Sequence, residues 1–205
     1  YSRVGSMRGY TGAQAAQTLL DRAGIHDVRI VPARGFLSDH YNPTNKTLAL
    51  SEQVYSSNSV AAIGVATHEA GHAIQHATHY APLWLRSALV PTVGIGSNLG
   101  MIMMTIGLFM QGGANKLGDV LVVIGAILFS AVLLFQLVTL PVEFNASSRA
   151  KRLVVEAGIV FPEERTGIDK VLNAAALTYV AAVLQTLLTL LYFLWRAGLF
   201  GGRRE

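Results

Sequence analysis

Two histidines four residues apart flank a glutamate in the run His68-Glu69-Ala70-Gly71-His72. On a helix that spacing is about one turn, so both imidazoles project from one face and can hold a single zinc ion. Glu69 is offset beside them, where it can reach a zinc-activated water without closing the coordination sphere itself. Ala66, Thr67, Ala70, Gly71, Ala73 and Ile74 are all uncharged, as a buried active-site helix requires, and Gly71 lets another backbone or a substrate come close. The competing reading is a chance H-E-x-x-H on a structural helix, but an ordinary helix surface would carry more charge.

Two histidines leave a catalytic zinc site incomplete, because such a site takes three protein ligands and keeps one position open. With no cysteine in the chain, the third ligand must be His, Asp or Glu. His76 lies one further turn along the same face, about 6 Å along the axis, which is too far for tetrahedral coordination from one straight helix. His76 and His79 are therefore expected beside the site or at the surface. Topology favours Glu143, the first carboxylate after a long apolar stretch, with Glu52 and Asp39 as fallbacks. Pro141 suits the first turn of a new or kinked helix, which would put Glu143, Ala146 and Ser147 on one face. The small Ala146 then permits close approach, and Ser147 can hydrogen-bond a ligand histidine. The competing reading of Glu143 is an interfacial carboxylate that caps a helix or pairs with Arg149. Arg149 and His40 are the candidates for stabilising developing negative charge, although each also reads as a structural or lipid-facing group.

The elements that must position these groups divide by composition. The chain has 205 residues, of which 52% are hydrophobic and only 14% charged, too apolar a balance for an ordinary soluble domain. A net charge of +4 is not gathered into a basic stripe, so lipid headgroups are expected as the partner rather than nucleic acid. Residues 1–86 hold all six histidines and 12 of the 28 charged residues. Within them, residues 11–22 read as a helix capped by Thr11 and ended by Gly24. Residues 28–32, 34–40 and 47–50 read as short strands of a hairpin-type sheet, the last two joined across residues 42–45. Residues 59–79 read as the motif helix, capped by Ser59.

Beyond Pro82, residues 89–111, 117–140 and 174–197 each reach the roughly 20 residues needed to cross a hydrocarbon core. A polar turn at residues 111–119 makes the first two an antiparallel hairpin, which returns the chain to the side it left. Gly94, Gly96, Gly100 and Gly107 suit close helix packing there. Near the span ends, Arg86, Arg149, Lys151, Arg152, Arg165 and Lys170 face Lys116, Arg196, Arg203 and Arg204, so six basic residues against four lean the motif side toward the cytoplasm.

Six stretches resemble the bacterial neutral zinc metallopeptidases of the YugP-like membrane type: MRGYTGAQAAQTLLDRAGIHDVRI, RGFLSDHYNPTNKTLALSEQVY, ATHEAGHAIQHA, SALVPTVGIGSN, LFQLVTLPVEFNASSRA and KVLNAAALTYVAA. The resemblance implies a gluzincin-like site with one zinc per chain on His68, His72 and Glu143 and with Glu69 as catalytic base. It also implies a further membrane segment before Tyr1. Asn145 stands where that family usually has Asp, which bears on how a ligand or substrate is oriented.

The expected fold class is α+β: a small zincin-like domain of helices with a short β-hairpin sheet, fused to a helical membrane bundle of about three spans. Its expected divisions are 1–86, 87–140, a water-facing segment 141–173 that supplies the third ligand, and 174–205. The expected function is membrane-embedded zinc endopeptidase in a bacterial cell membrane. Its partners would be a protein or peptide substrate and the bilayer, with a homo-oligomer or membrane partner protein left open. A non-catalytic zincin-like subunit is the alternative, and Glu69 argues against it because a structural zinc site needs no base. A small transporter is the third reading, and the apolar spans lack the ionisable residues usual along an ion route.

Overall fold

A computed structural model describes residues 1–35, 37–111 and 116–199. The chain is mostly helical with one small sheet, and it falls into two compact units. The first comprises Tyr1–Leu83 and Pro141–Leu177, the second Trp84–Leu140 and Thr178–Glu205.

The first unit begins with helix α1, Gly12–Arg22. Thr11 accepts from the Gln14 backbone N–H and the Gln14 side chain returns the bond to Thr11, closing a capping box. Gly24, at φ 69°, carries the chain out of the helix. Three strands follow: β1 (Arg29–Ala33), β2 (His40–Asn42) and β3 (Thr47–Ser51). Their order is β1-β3-β2, with β1 parallel and β2 antiparallel to β3.

This corrects two expectations. Residues 34–40 do not form the second strand, because Gly35 (φ 108°) and Leu37 (φ 56°) turn the chain out of extended geometry; Phe36 lies outside the described residues. The sheet is not hairpin-type throughout: Thr47–Ser51 is its central strand, parallel to β1 and antiparallel to β2.

Ser51 leads directly into a one-turn helix, α2 (Glu52–Tyr55), and α3 follows at Val60–Ala77, with Ser59 accepting from the Ala62 N–H as its cap. Twelve of the 18 residues of α3 are buried, which explains its nearly all-round apolar composition. The core joins Ala15, Leu19 and Leu20 of α1, Leu48 and Leu50 of β3 and Ile63, Ala66 and Ala70 of α3. Ala150, Val154, Ile168 and Leu172, from the parts of α5 and α6 in this unit, complete it.

The second unit contains most of α4 (Ala81–Phe109), the first part of α5 (Leu117–Glu156) and the end of α6 (Arg165–Arg196), which a 3₁₀ turn at Pro162–Glu164 precedes. Two helical segments, Leu117–Glu156 and Pro162–Arg196, are long and apolar enough to cross a membrane. A third span results if Ala81–Gly94 and Gly96–Phe109, bent by 42°, act as one.

The first two apolar stretches pack antiparallel. A Cβ built on Gly96, Gly100 or Gly107 would lie 2.7–2.8 Å from the backbone oxygen of Leu128, Gly125 or Gly118 respectively, so numbers rise on α4 as they fall on α5. Of their connecting turn, Gln111 donates to Asp119 (2.8 Å), while residues 112–115 lie outside the described residues, as do Arg203 and Arg204. Pro141 starts no new helix: α5 runs through it for 40 residues.

Candidate metal centre

The helical run from Val60 to Ala77 puts His68 and His72 on one side of α3, their rings 4.8 Å apart and edge to face. Opposite them stands the stretch of α5 that follows Pro141. The two helices approach closely because α3 has no side chain at Gly71: a Cβ there would lie 2.8 Å from the Ala146 carbonyl oxygen. Ala146 is itself fully buried. This contact brings in Glu143 from 75 residues away, with its Oε2 at 3.2 Å from His68 Nε2 and 3.6 Å from His72 Nε2.

Among the described residues, His68, His72 and Glu143 are the group that could hold a metal ion, with one ligand atom from each lying within 4.8 Å of the others. Only 13%, 9% and 2% of their respective side chains is exposed. Two imidazole nitrogens and a carboxylate oxygen are donors that zinc accepts, and their convergence in a buried space could place all three on one cation. The residues present therefore fit the metal.

The far nitrogens of both rings are also engaged. His68 Nδ1 lies 3.1 Å from Ser147 Oγ, and His72 Nδ1 lies 2.9 Å from Gln75 Oε1. Burial works against a charged His72, but the Glu143 carboxylate on its ring and the charges of Glu69 and Glu143 outweigh that and raise its pKa. Glu69, next to His68 on α3, is part-buried.

The remaining residues singled out by sequence separate clearly. Asn145 Oδ1 accepts from Arg149 Nε (2.8 Å) and from Gln75 Nε2 (3.0 Å), so Arg149 binds this amide. His76 stays out of the three-residue group, and its Nδ1 lies 2.8 Å from the Tyr41 hydroxyl. Burial, reinforced by the Lys46 and His79 charges, lowers the His76 pKa, and burial pushes the Tyr41 phenol up to about 12. His40 is exposed at the start of β2, its Nδ1 at 2.8 Å from the Ser38 carbonyl. Of the fallback ligands, Asp39 accepts from the Ser51 backbone and hydroxyl, while Glu52 is exposed on α2.

Sequence reasoning missed Gln75. It is fully buried on α3, three residues after His72, and Nε2 also donates to the Val142 carbonyl at 2.8 Å. The available signal was an amide at i+3 from a candidate ligand histidine on a helix otherwise lined by small apolar residues.

Residues 1–198 match the family model described as "Putative neutral zinc metallopeptidase". The chain is 48% identical over 193 residues to the "Putative membrane protease YugP" of Bacillus subtilis, covering 94% of this chain and 83% of that protein. No solved structure matches it.

Proposed function

The chain belongs to the neutral zinc metallopeptidase family that residues 1–198 match, and on that premise we propose that it is a membrane-embedded zinc endopeptidase. The observation that carries this reading is the convergence of His68, His72 and Glu143 within 4.8 Å beside Glu69. His68, His72 and Glu143 would hold the zinc, and Glu69 would serve as the base. When bound, zinc supplies Lewis-acid chemistry, lowering the pKa of water toward about 7 and polarising a carbonyl.

The chain's own residues then do the rest. The Glu69 carboxylate takes the proton from the water that attacks the peptide carbonyl, and it later gives that proton to the departing amine. Ser147 and Gln75 hold the two rings from behind, so that neither turns away from Glu143. An extended substrate could add to β2, an edge of the sheet tied to α3 through Tyr41 and His76, with main-chain hydrogen bonds that impose little sequence preference. The two or three helices able to cross a membrane support embedding, as does the relative's description as a membrane protease. The substrates would be membrane proteins or peptides leaving the bilayer. The lean of basic residues supports a site on the cytoplasmic side of a bacterial cell membrane.

The test compares purified wild type with Glu69→Gln, measuring metal content and cleavage of an unstructured polypeptide. About one zinc per chain in both, with hydrolysis lost only in the variant, is the expected result. Equal activity in the two proteins, or no metal in either, would sink the reading.

A further inference from the structure

We propose that Gln75 is the positioning residue of the metal centre: it selects the ring form of His72 that presents Nε2 to the metal, and it is held in that role by Val142, Asn145 and Arg149. The consequence for zinc rests on the peptidase reading above; the consequence for the ring form does not.

The assignment follows from groups whose hydrogen-bonding sense is not a matter of choice. The guanidinium of Arg149 can only donate, so the Asn145 atom at 2.8 Å from its Nε is the amide oxygen. That oxygen, at 3.0 Å from the Gln75 amide, requires a donor there. The Val142 carbonyl, at 2.8 Å from the same Gln75 atom, can only accept and requires the same donor independently. Two separate partners therefore fix that atom as Nε2. The remaining atom of the amide is Oε1, at 2.9 Å from His72 Nδ1.

An amide oxygen only accepts, so Nδ1 carries the hydrogen, and in the neutral ring the lone pair lies on Nε2, the nitrogen turned toward Glu143. The Gln75 side chain has no exposure to solvent that could offer replacement partners. His68 is different. Its Nδ1 faces the Ser147 hydroxyl, which can donate or accept, so serine does not by itself dictate the ring form. The two zinc-facing histidines are thus held with unequal strictness, and the stricter hold comes from a residue outside the H-E-x-x-H run.

The deciding experiment uses Gln75→Met, which keeps length and removes both hydrogen-bonding groups. Nitrogen-15 spectra of the histidine-labelled, metal-free protein, taken above the titration of His72, should show Nδ1–H in wild type and a mixture of ring forms in the variant. Zinc affinity, from competition with a chromophoric chelator, should weaken by about 10–100-fold. Asn145→Leu should weaken zinc several-fold, and Asn145→Asp, which keeps an acceptor oxygen for both donors, should recover most of that loss.

An unchanged His72 ring form and unchanged zinc affinity in Gln75→Met would overturn the proposal. If that variant does not fold, as judged by helicity and elution, the Asn145 pair decides: equal zinc affinity in Leu and Asp overturns it, and recovery in Asp alone supports it. A wild type that binds no zinc but loses the His72 ring form in Gln75→Met would count against the zinc reading while supporting the positioning role.

Discussion

The packing of α3 on α5 around Gly71 and that of α4 on α5 around Gly100 and Gly125 use one device to different ends. In both, a glycine lets two backbones meet, with an added Cβ falling 2.8 Å from the Ala146 oxygen in the first and 2.8 Å from the Gly125 oxygen in the second. Around Gly71 the neighbouring side chains His72, Gln75, Glu143 and Ser147 are polar and buried; Gln75 bonds His72, and Glu143 and Ser147 both bond His68. Around Gly100 and Gly125 they are Met104, Ala126 and Phe129, which offer only dispersion contacts. Close approach is thus general, and chemistry depends on what surrounds it. A polar cluster tolerates burial only when every member is satisfied, so the α3–α5 contact has far less freedom to shift than the apolar one.

The largest effect should come from removing the carboxylate that the α3–α5 contact delivers. Glu143→Ala is expected to abolish stoichiometric zinc binding, read by metal analysis, and hydrolysis with it. Glu69→Gln should leave zinc in place and lower turnover by about 10²–10⁴-fold, the usual contribution of a general base; loss of metal in this variant would mean that Glu69 is a ligand.

The comparison itself is tested by matched substitutions. Gly71→Ala and Gly125→Ala each overpack a helix contact and should each cost about 1–3 kcal/mol of stability, measured by thermal unfolding in detergent. Only Gly71→Ala should also weaken zinc, by tenfold or more. Equal zinc affinity in the two would break the distinction drawn between the contacts. The smallest effect is expected from Thr11→Ala, which removes the α1 cap at a cost of about 1 kcal/mol and leaves zinc affinity at the wild-type value.

Legibility differed element by element. The caps at Thr11 and Ser59, the motif helix and the long apolar stretches were readable because they rest on local chemistry: a hydroxyl before a helix, a run of small residues, hydrocarbon length. The sheet was read less well. Its order depends on β1 pairing with β3 past β2, and the strand at residues 34–40 failed because alternation carries no information about Gly35 and Leu37 entering positive φ. Arg149 was read as a partner for Glu143 or for developing charge, whereas its Nε binds an amide one turn away.

By itself the sequence determined that His68, Glu69 and His72 share one turn of helix, since a spacing of four on an unbroken helix leaves them little else to do. It also determined that the chain carries segments able to cross a bilayer, which is a matter of composition and length. Only the tertiary structure decided that Glu143 meets the two histidines across 75 residues of chain, and that Gln75 locks one of them. Those outcomes depend on how closely α3 and α5 can approach, and that distance is set where Gly71 meets Ala146.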